Sequence, residues 1–194
     1  MHFNPVEVLA GLVVLVGPPA AGKSTFVQEL VRLQRIPREA VASTDAIRAE
    51  FAKAQAETAA VTTSPEVVVD ERDRRLLMRL AAGYMALAES TNVTRRARAR
   101  LITVARQCDA RVTILRFNQS REILLTQNIE RERQDVPDTV VLDLAMAMQR
   151  EGSVCQLYSE GAASVHDVPG RGQGFTATEA AQLFTFRLTT LGQR

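Results

Sequence analysis

Gly17-Pro18-Pro19-Ala20-Ala21-Gly22-Lys23-Ser24 is the stretch from which the rest of the chain is best read. It fits G-x-x-x-x-G-K-[ST], a pattern in which glycines let the backbone curl until successive N–H groups converge on phosphate oxygens. The lysine of the pattern reaches the β- and γ-phosphates of a nucleotide, and the serine hydroxyl binds Mg²⁺. Nucleotide contacts are therefore expected from Gly17, Ala20, Ala21, Gly22, Lys23, Ser24 and Thr25. The flanks agree. Leu12 to Val16 is apolar at every position, as a strand buried on both faces must be. From Ser24 to about Gln34, Phe26, Val27, Leu30, Val31 and Leu33 recur at helical spacing, which turns a positive helix end towards the loop. Lysine occurs only at Lys23 and Lys53, every other cationic side chain being arginine. A lysine kept at the position that needs one is informative against that background.

The whole chain bounds what such a loop can serve. At 194 residues, 46% hydrophobic and 24% charged, it has the composition of one globular domain, which excludes disorder, collagen and coiled coil. Cys108 and Cys155 make no disulfide framework, and two histidines leave little for a zinc site. The net charge of +2 identifies no partner. No apolar run approaches the roughly 20 residues needed to span a bilayer, and Leu12 to Val16, five residues with no basic stretch before it, does not read as a signal peptide. A cytoplasmic protein without a membrane partner is expected; the oligomeric state is not legible.

Outward from the loop, Pro37 closes the first helix, residues 39–43 read as a strand, and Thr44-Asp45 opens a helix with Ile47 and Phe51 inward. Residues 54–64 are weakly patterned and read as a loop. Ser64-Pro65-Glu66 is a strong helix start, with a capping hydroxyl, a first-turn proline and an acid at the positive dipole end. It outweighs the strand-like Val67-Val68-Val69-Asp70-Glu71. Tyr84 to Ala88 reads as a strand, Arg95 to Gln107 as a helix, Arg111 to Phe117 as a strand and Glu122 to Arg131 as a helix. Pro137 to Arg150 reads as a helix, Ser153 to Tyr158 and Ala163 to Val168 as strands, and Thr178 to Leu191 as a terminal helix. Strands alternating with helices imply an α/β fold with a mostly parallel sheet.

Five further features carry chemistry. Asp45, at the end of the second strand, can take a proton from an attacking hydroxyl, or it can simply favour the helix start. Arg48 shares its helix face and can hold a phosphate or form a surface ion pair. Glu89-Ser90-Thr91-Asn92 follows the third strand, with Arg98 one turn into the next helix. Arg95, Arg96, Arg98 and Arg100 form either a basic rim that tracks phosphates or an exposed helix face. Glu130-Arg131-Glu132-Arg133-Gln134-Asp135-Val136-Pro137 can close over a nucleotide and bring a guanidinium to the transferring phosphoryl, or remain a solvated loop.

The order of these motifs resembles the polynucleotide 5′-kinase family, which takes in a bacteriophage enzyme and the kinase module of bacterial end-healing repair proteins. The matching stretches are [ST]-[ST]-D-x-x-R at Ser43-Thr44-Asp45-Ala46-Ile47-Arg48, D-[AS]-T-N with a later arginine at Glu89-Ser90-Thr91-Asn92 and Arg98, and arginines before V-P-x-x-V-[IV] at Val136-Pro137-Asp138-Thr139-Val140-Val141. By that resemblance Lys23, Asp45, Arg131 and Arg133 are catalytic, with Asp45 the general base and the two arginines on the lid. Arg48, Thr91 and Arg98 contact the acceptor, and Ser24 and Glu89 serve Mg²⁺. Glu89 departs from the family's aspartate, and its extra methylene shifts any water-mediated Mg²⁺ contact. The resemblance implies a P-loop kinase fold: a five-stranded, mostly parallel sheet with helices on both faces and a short helical lid. It would form one domain over 1–194, with the core at about 12–168, the lid at about 121–150 and the terminal helix at about 178–191. The implied reaction moves the γ-phosphate of ATP to the 5′-hydroxyl of a DNA or RNA end, as a stand-alone kinase. A small-molecule kinase acting on a sugar nucleotide or an antibiotic, and a non-catalytic ATP-binding module, remain alternatives.

Overall fold

The computed structural model describes residues 4–58, 64–130 and 136–189. In chain order the strands and helices are β1 (Val6–Val8), β2 (Leu12–Val16), α1 (Lys23–Arg32), β3 (Val41–Ser43), α2 (Thr44–Thr58), α3 (Pro65–Ala81), β4 (Ala86–Glu89), α4 (Arg95–Gln107), β5 (Val112–Arg116), α5 (Arg121–Ile129), α6 (Asp138–Glu151), α7 (Val154–Glu160), β6 (Ser164–Asp167), α8 (Ala177–Gln182) and β7 (Phe184–Phe186). Five strands form one sheet in the order β3-β4-β2-β5-β6, every pair parallel. The strand that feeds the Gly17–Ser24 loop is thus the central one.

The apolar run of β2 explains the layering. Val13 and Leu15 face a core with Phe26 and Leu30 of α1, Val141 of α6 and Phe184. Leu12, Val14 and Val16 face the opposite core, with Leu76 of α3, Leu101 of α4 and Leu157 of α7. Phe26 packs edge-on against Phe117 at 5.4 Å and Phe184 at 5.5 Å between ring centres, a geometry that adds about 0.5–1.5 kcal/mol per pair beyond burial.

The helix start at Ser64 is as read: its hydroxyl accepts from Val67 N at 3.4 Å, Pro65 takes the first turn, and 67–71 is helical. Elsewhere the structure corrects the reading. Residues 153–158 are not a strand; Ser153 caps α7 by accepting from Gln156 N at 3.3 Å, and Gly161 ends it in the left-handed region. The terminal helix stops at Gln182. Beyond it Phe184 and Phe186 turn inward while Thr185 stays exposed, the period of a strand, and β7 pairs parallel with the unforeseen β1. Helix α2 continues to Thr58, into the stretch expected to be a loop. The third strand of the reading begins at Ala86 and includes Glu89. Among the described residues, no helix is long and apolar enough to cross a membrane.

Candidate active site

The loop leaves β2 at Val16 under tight constraint. A Cβ on Gly17 would lie 2.8 Å from that of Phe117, so the first glycine of the pattern is required by packing as well as by curvature. Gly22 has φ 87°, a left-handed conformation that opens α1 and that an L side chain adopts only under strain. The buried Lys23 ammonium donates to the carbonyls of Gly17 at 2.8 Å and Pro18 at 2.6 Å, bridging the first turn of the loop.

A buried frame supports the loop from behind. Gly17 N donates to Thr91 O at 2.9 Å, and Asn92 Nδ2 donates to Leu15 O at 2.9 Å. Asn92 has φ 47°, which asparagine tolerates better than most residues. Arg98 fixes this turn. Its guanidinium donates to the carbonyls of Asn92 at 3.1 Å and Val93 at 2.7 Å, to Glu151 O at 2.6 Å, and to both carboxylate oxygens of Glu160. The side chains of Arg98 and Glu160 are 1% and 5% exposed. Arg98 therefore does not contact an acceptor; its donors are spent inside the protein. The basic rim thins further, because Arg100 pairs with Asp70 and Asp73.

The front of the site is built from α2. Ser43 caps it, accepting from Ala46 N at 3.4 Å, so Asp45 is left to project outward. Asp45 pairs with Arg48 at 2.6 Å, both side chains being well exposed. A cleft of about 560 Å³ gathers the loop from Pro19 to Thr25 with Asp45, Arg48, Glu89 and Thr91. Gly17 and Arg98 lie behind it, and Arg131 and Arg133 lie outside the described residues. Glu89, buried at the end of β4 and in register with Ser43, lines the same cleft as Ser24.

Two other clefts join this one. A larger space of about 980 Å³ runs between α1, β3, α2 and α3 and shares Ser24, Asp45 and Glu89 with it. A smaller one of about 350 Å³ shares Gly22, Thr25 and Gln127, and is walled by Phe117, Val168 and Phe175. The 169–174 turn beside it is fastened by Gln119, which accepts from Gly172 N at 3.1 Å, and by an Arg171–Glu130 ion pair. Sequence reasoning missed the smaller cleft and Gln127, because a glutamine in an amphipathic helix carries no distinguishing signal. Next to the larger cleft, Glu71 is held down to about 2 by hydrogen bonds from Arg74 and Arg75, and Arg75 also pairs with Glu50 of α2 at 2.5 Å.

A parallel sheet with the loop strand at its centre, and a phosphate cleft at the carboxyl ends of its strands, define a P-loop kinase fold. Residues 12–151 match the profile of the AAA-domain family AAA_33, and the chain belongs to that family. No curated protein sequence matches it. Among solved structures, a chain of the Pnkp1/Rnl/Hen1 RNA repair complex is similar at 18% identity and TM-score 0.57, over 77% of this chain and 46% of that one. This chain thus spans about half the length of that relative. Shikimate kinase from Acinetobacter baumannii in complex with shikimate is similar at 21% identity and TM-score 0.51, over 89% of each chain. A gluconokinase from Sinorhizobium meliloti 1021 is similar at 15% identity and TM-score 0.54, over 91% of this chain and 90% of that one. At these identities the likenesses concern the fold.

Proposed function

We propose that the protein is an ATP-dependent kinase that transfers the γ-phosphate to the 5′-hydroxyl of a DNA or RNA end. The observation that carries this reading is the position of Asp45, a carboxylate on the wall shared by the phosphate cleft and the larger cleft beside it. An acceptor lying in the larger cleft presents its hydroxyl to Asp45, which orients it and takes its proton as the bond to phosphorus forms. Arg48, freed from its pairing with Asp45, holds the phosphate next to that hydroxyl. The loop amides and Lys23 neutralise the β- and γ-phosphates, and Gly22, Thr25 and the apolar walls of the smaller cleft seat the donor's base. Mg²⁺ would neutralise charge on the phosphate oxygens; Ser24 and, through water, Glu89 would hold it. Arg131 and Arg133 complete the site from the lid by stabilising transition-state charge.

The nucleic-acid acceptor is supported by the order of the motifs around Asp45, Thr91 and Val136-Pro137. A second reading, a small hydroxyl compound as acceptor, is favoured by one observation. In the larger cleft the described residues Arg38, Arg74, Arg75 and Arg79 are matched by Glu39, Asp45, Glu50 and Glu89, so it lacks the positive excess that draws a polyanion. Transfer of labelled γ-phosphate from ATP to 5′-hydroxyl DNA and RNA oligonucleotides, beside shikimate, gluconate and other small alcohols, tests the two. Labelling of the oligonucleotide that disappears when its 5′ end already carries phosphate is the expected result. Labelling of small alcohols alone overturns the nucleic-acid reading, and ATP binding without transfer to any of them overturns catalysis on these acceptors.

A further inference from the structure

Three side-chain amide oxygens are buried and accept no hydrogen bond among the described residues: those of Asn92, Gln127 and Asn128. A buried acceptor without a donor is unfavourable, so each calls for a physical account. Asn92 and Asn128 are engaged through their amide nitrogens, Asn92 with Leu15 O and Asn128 with Val136 O at 2.9 Å and Asp138 at 2.8 Å. Both act as structural ties, and neither lines any of the three clefts described above. Gln127 differs in position. It lies two residues before the end of α5, on the wall common to the phosphate cleft and the smaller apolar cleft. A nucleotide whose phosphates occupy the first and whose base occupies the second must pass Gln127 with its nucleoside. Elsewhere in the smaller cleft Phe117, Val168 and Phe175 grip a base without distinguishing one nucleoside from another, while the polar side chains of Arg171 and Thr176 are engaged by Glu130 and Glu179 and Thr25 belongs to the phosphate loop.

We propose that Gln127 reads the nucleoside of the phosphate donor: its carboxamide, whose oxygen is shielded from solvent in this structure, turns into the cleft to accept a hydrogen bond from an N–H or O–H that the nucleoside supplies. This rests on the reading of the smaller cleft as the seat of the donor base. A base amine and a ribose hydroxyl share the required chemistry. Either one completes the hydrogen bonding of Gln127, and a donor lacking it leaves the buried oxygen unpaired, which is how a polar site rejects a close analogue.

Calorimetric binding without any acceptor tests this apart from phosphotransfer. ATP, 2′-deoxy-ATP and purine riboside triphosphate, which lacks the 6-amino group, are titrated into the wild type, Gln127→Leu and Gln127→Glu. The wild type is expected to bind ATP about tenfold tighter than one of the two analogues. A loss with 2′-deoxy-ATP identifies the sugar; a loss with purine riboside triphosphate identifies the amine. Gln127→Leu is expected to lower ATP affinity about tenfold and leave the discriminated analogue unchanged, so that the preference vanishes. Gln127→Glu keeps the acceptor oxygen and should keep the preference while weakening all donors through repulsion. Equal binding of all three nucleotides by the wild type overturns the role of Gln127 while leaving the kinase reading intact, as does an equal loss for all three in Gln127→Leu. Failure of the wild type to bind any of them overturns both.

Discussion

Behind the phosphate loop, the turn at Asn92 and Val93 is tied to β2 and to Arg98 by hydrogen bonds with almost no solvent access, and Arg98 is closed off by Glu160. In front of it, Asp45–Arg48 and Glu50–Arg75 are ion pairs at the surface, on helices joined largely by side chains. The rear of the site is backbone held by a desolvated network, and its front is side chains whose exposed ion pairs can exchange partners. Under the proposed function, a site built this way would fix phosphate chemistry at the rear and leave acceptor choice to a few exposed residues at the front.

The contrast can be broken most severely at Arg98. Arg98→Leu leaves the Glu160 carboxylate buried without a counter-charge, with only Gln156 Nε2 donating to it, and should lower stability by about 3–5 kcal/mol in urea unfolding. Pairing it with Glu160→Leu should recover much of that loss. A single-variant loss under about 1 kcal/mol would mean that the rear frame is no firmer than the front.

Asp45→Asn sharpens the other side. It keeps size and an acceptor oxygen but cannot take a proton. The expected result is a loss of about 10²-fold or more in phosphotransfer with ATP binding and melting temperature retained. Because Ser43 already caps α2, little stability should depend on the Asp45 charge. A destabilised variant with full activity would return Asp45 to the role of a helix-start acid.

The smallest effect is expected at Glu71. Arg74 and Arg75 hold its carboxyl well below the usual range, at about 2, so its contribution is complete above the unfolded-state value and disappears as pH falls towards 2. Glu71→Gln should cost about 0.2–1 kcal/mol at pH 7. The difference from wild type should shrink between about pH 4.5 and pH 2 in urea titrations. A difference that grows on acidification would reverse the sign of this coupling.

What was legible in the sequence follows the same division. The loop, its strand and its helix were readable because phosphate binding demands particular residues at particular spacing, and the start of α3 because Ser64 and Pro65 act locally. Arg98 was misplaced for the opposite reason: its partners Glu151 and Glu160 lie more than 50 residues away, and nothing in a basic helix says which arginine turns inward. Val154-Cys155-Gln156-Leu157-Tyr158 has strand-like composition, but Ser153 and Gly161 bracket one short helix. The span 178–191 reads as one helix from its sequence, although Phe184 and Phe186 alternate with exposed Thr185. That alternation gains meaning only from β1, at the other end of the chain.

That last pairing bears on how the molecule is made. Arg187 and Glu7 meet at 2.7 Å although 180 residues separate them, and Phe184, on the same strand as Phe186, closes the core beneath α1. On a growing chain β1 has no partner until almost all the described residues have been synthesised. The sheet carrying the phosphate loop can assemble earlier, from strands closer in sequence. Closing so long a loop adds little to the equilibrium cost but delays the event. Sealing of the α1 face should therefore be a late kinetic step, and β1 an exposed β segment in the nascent protein until β7 arrives.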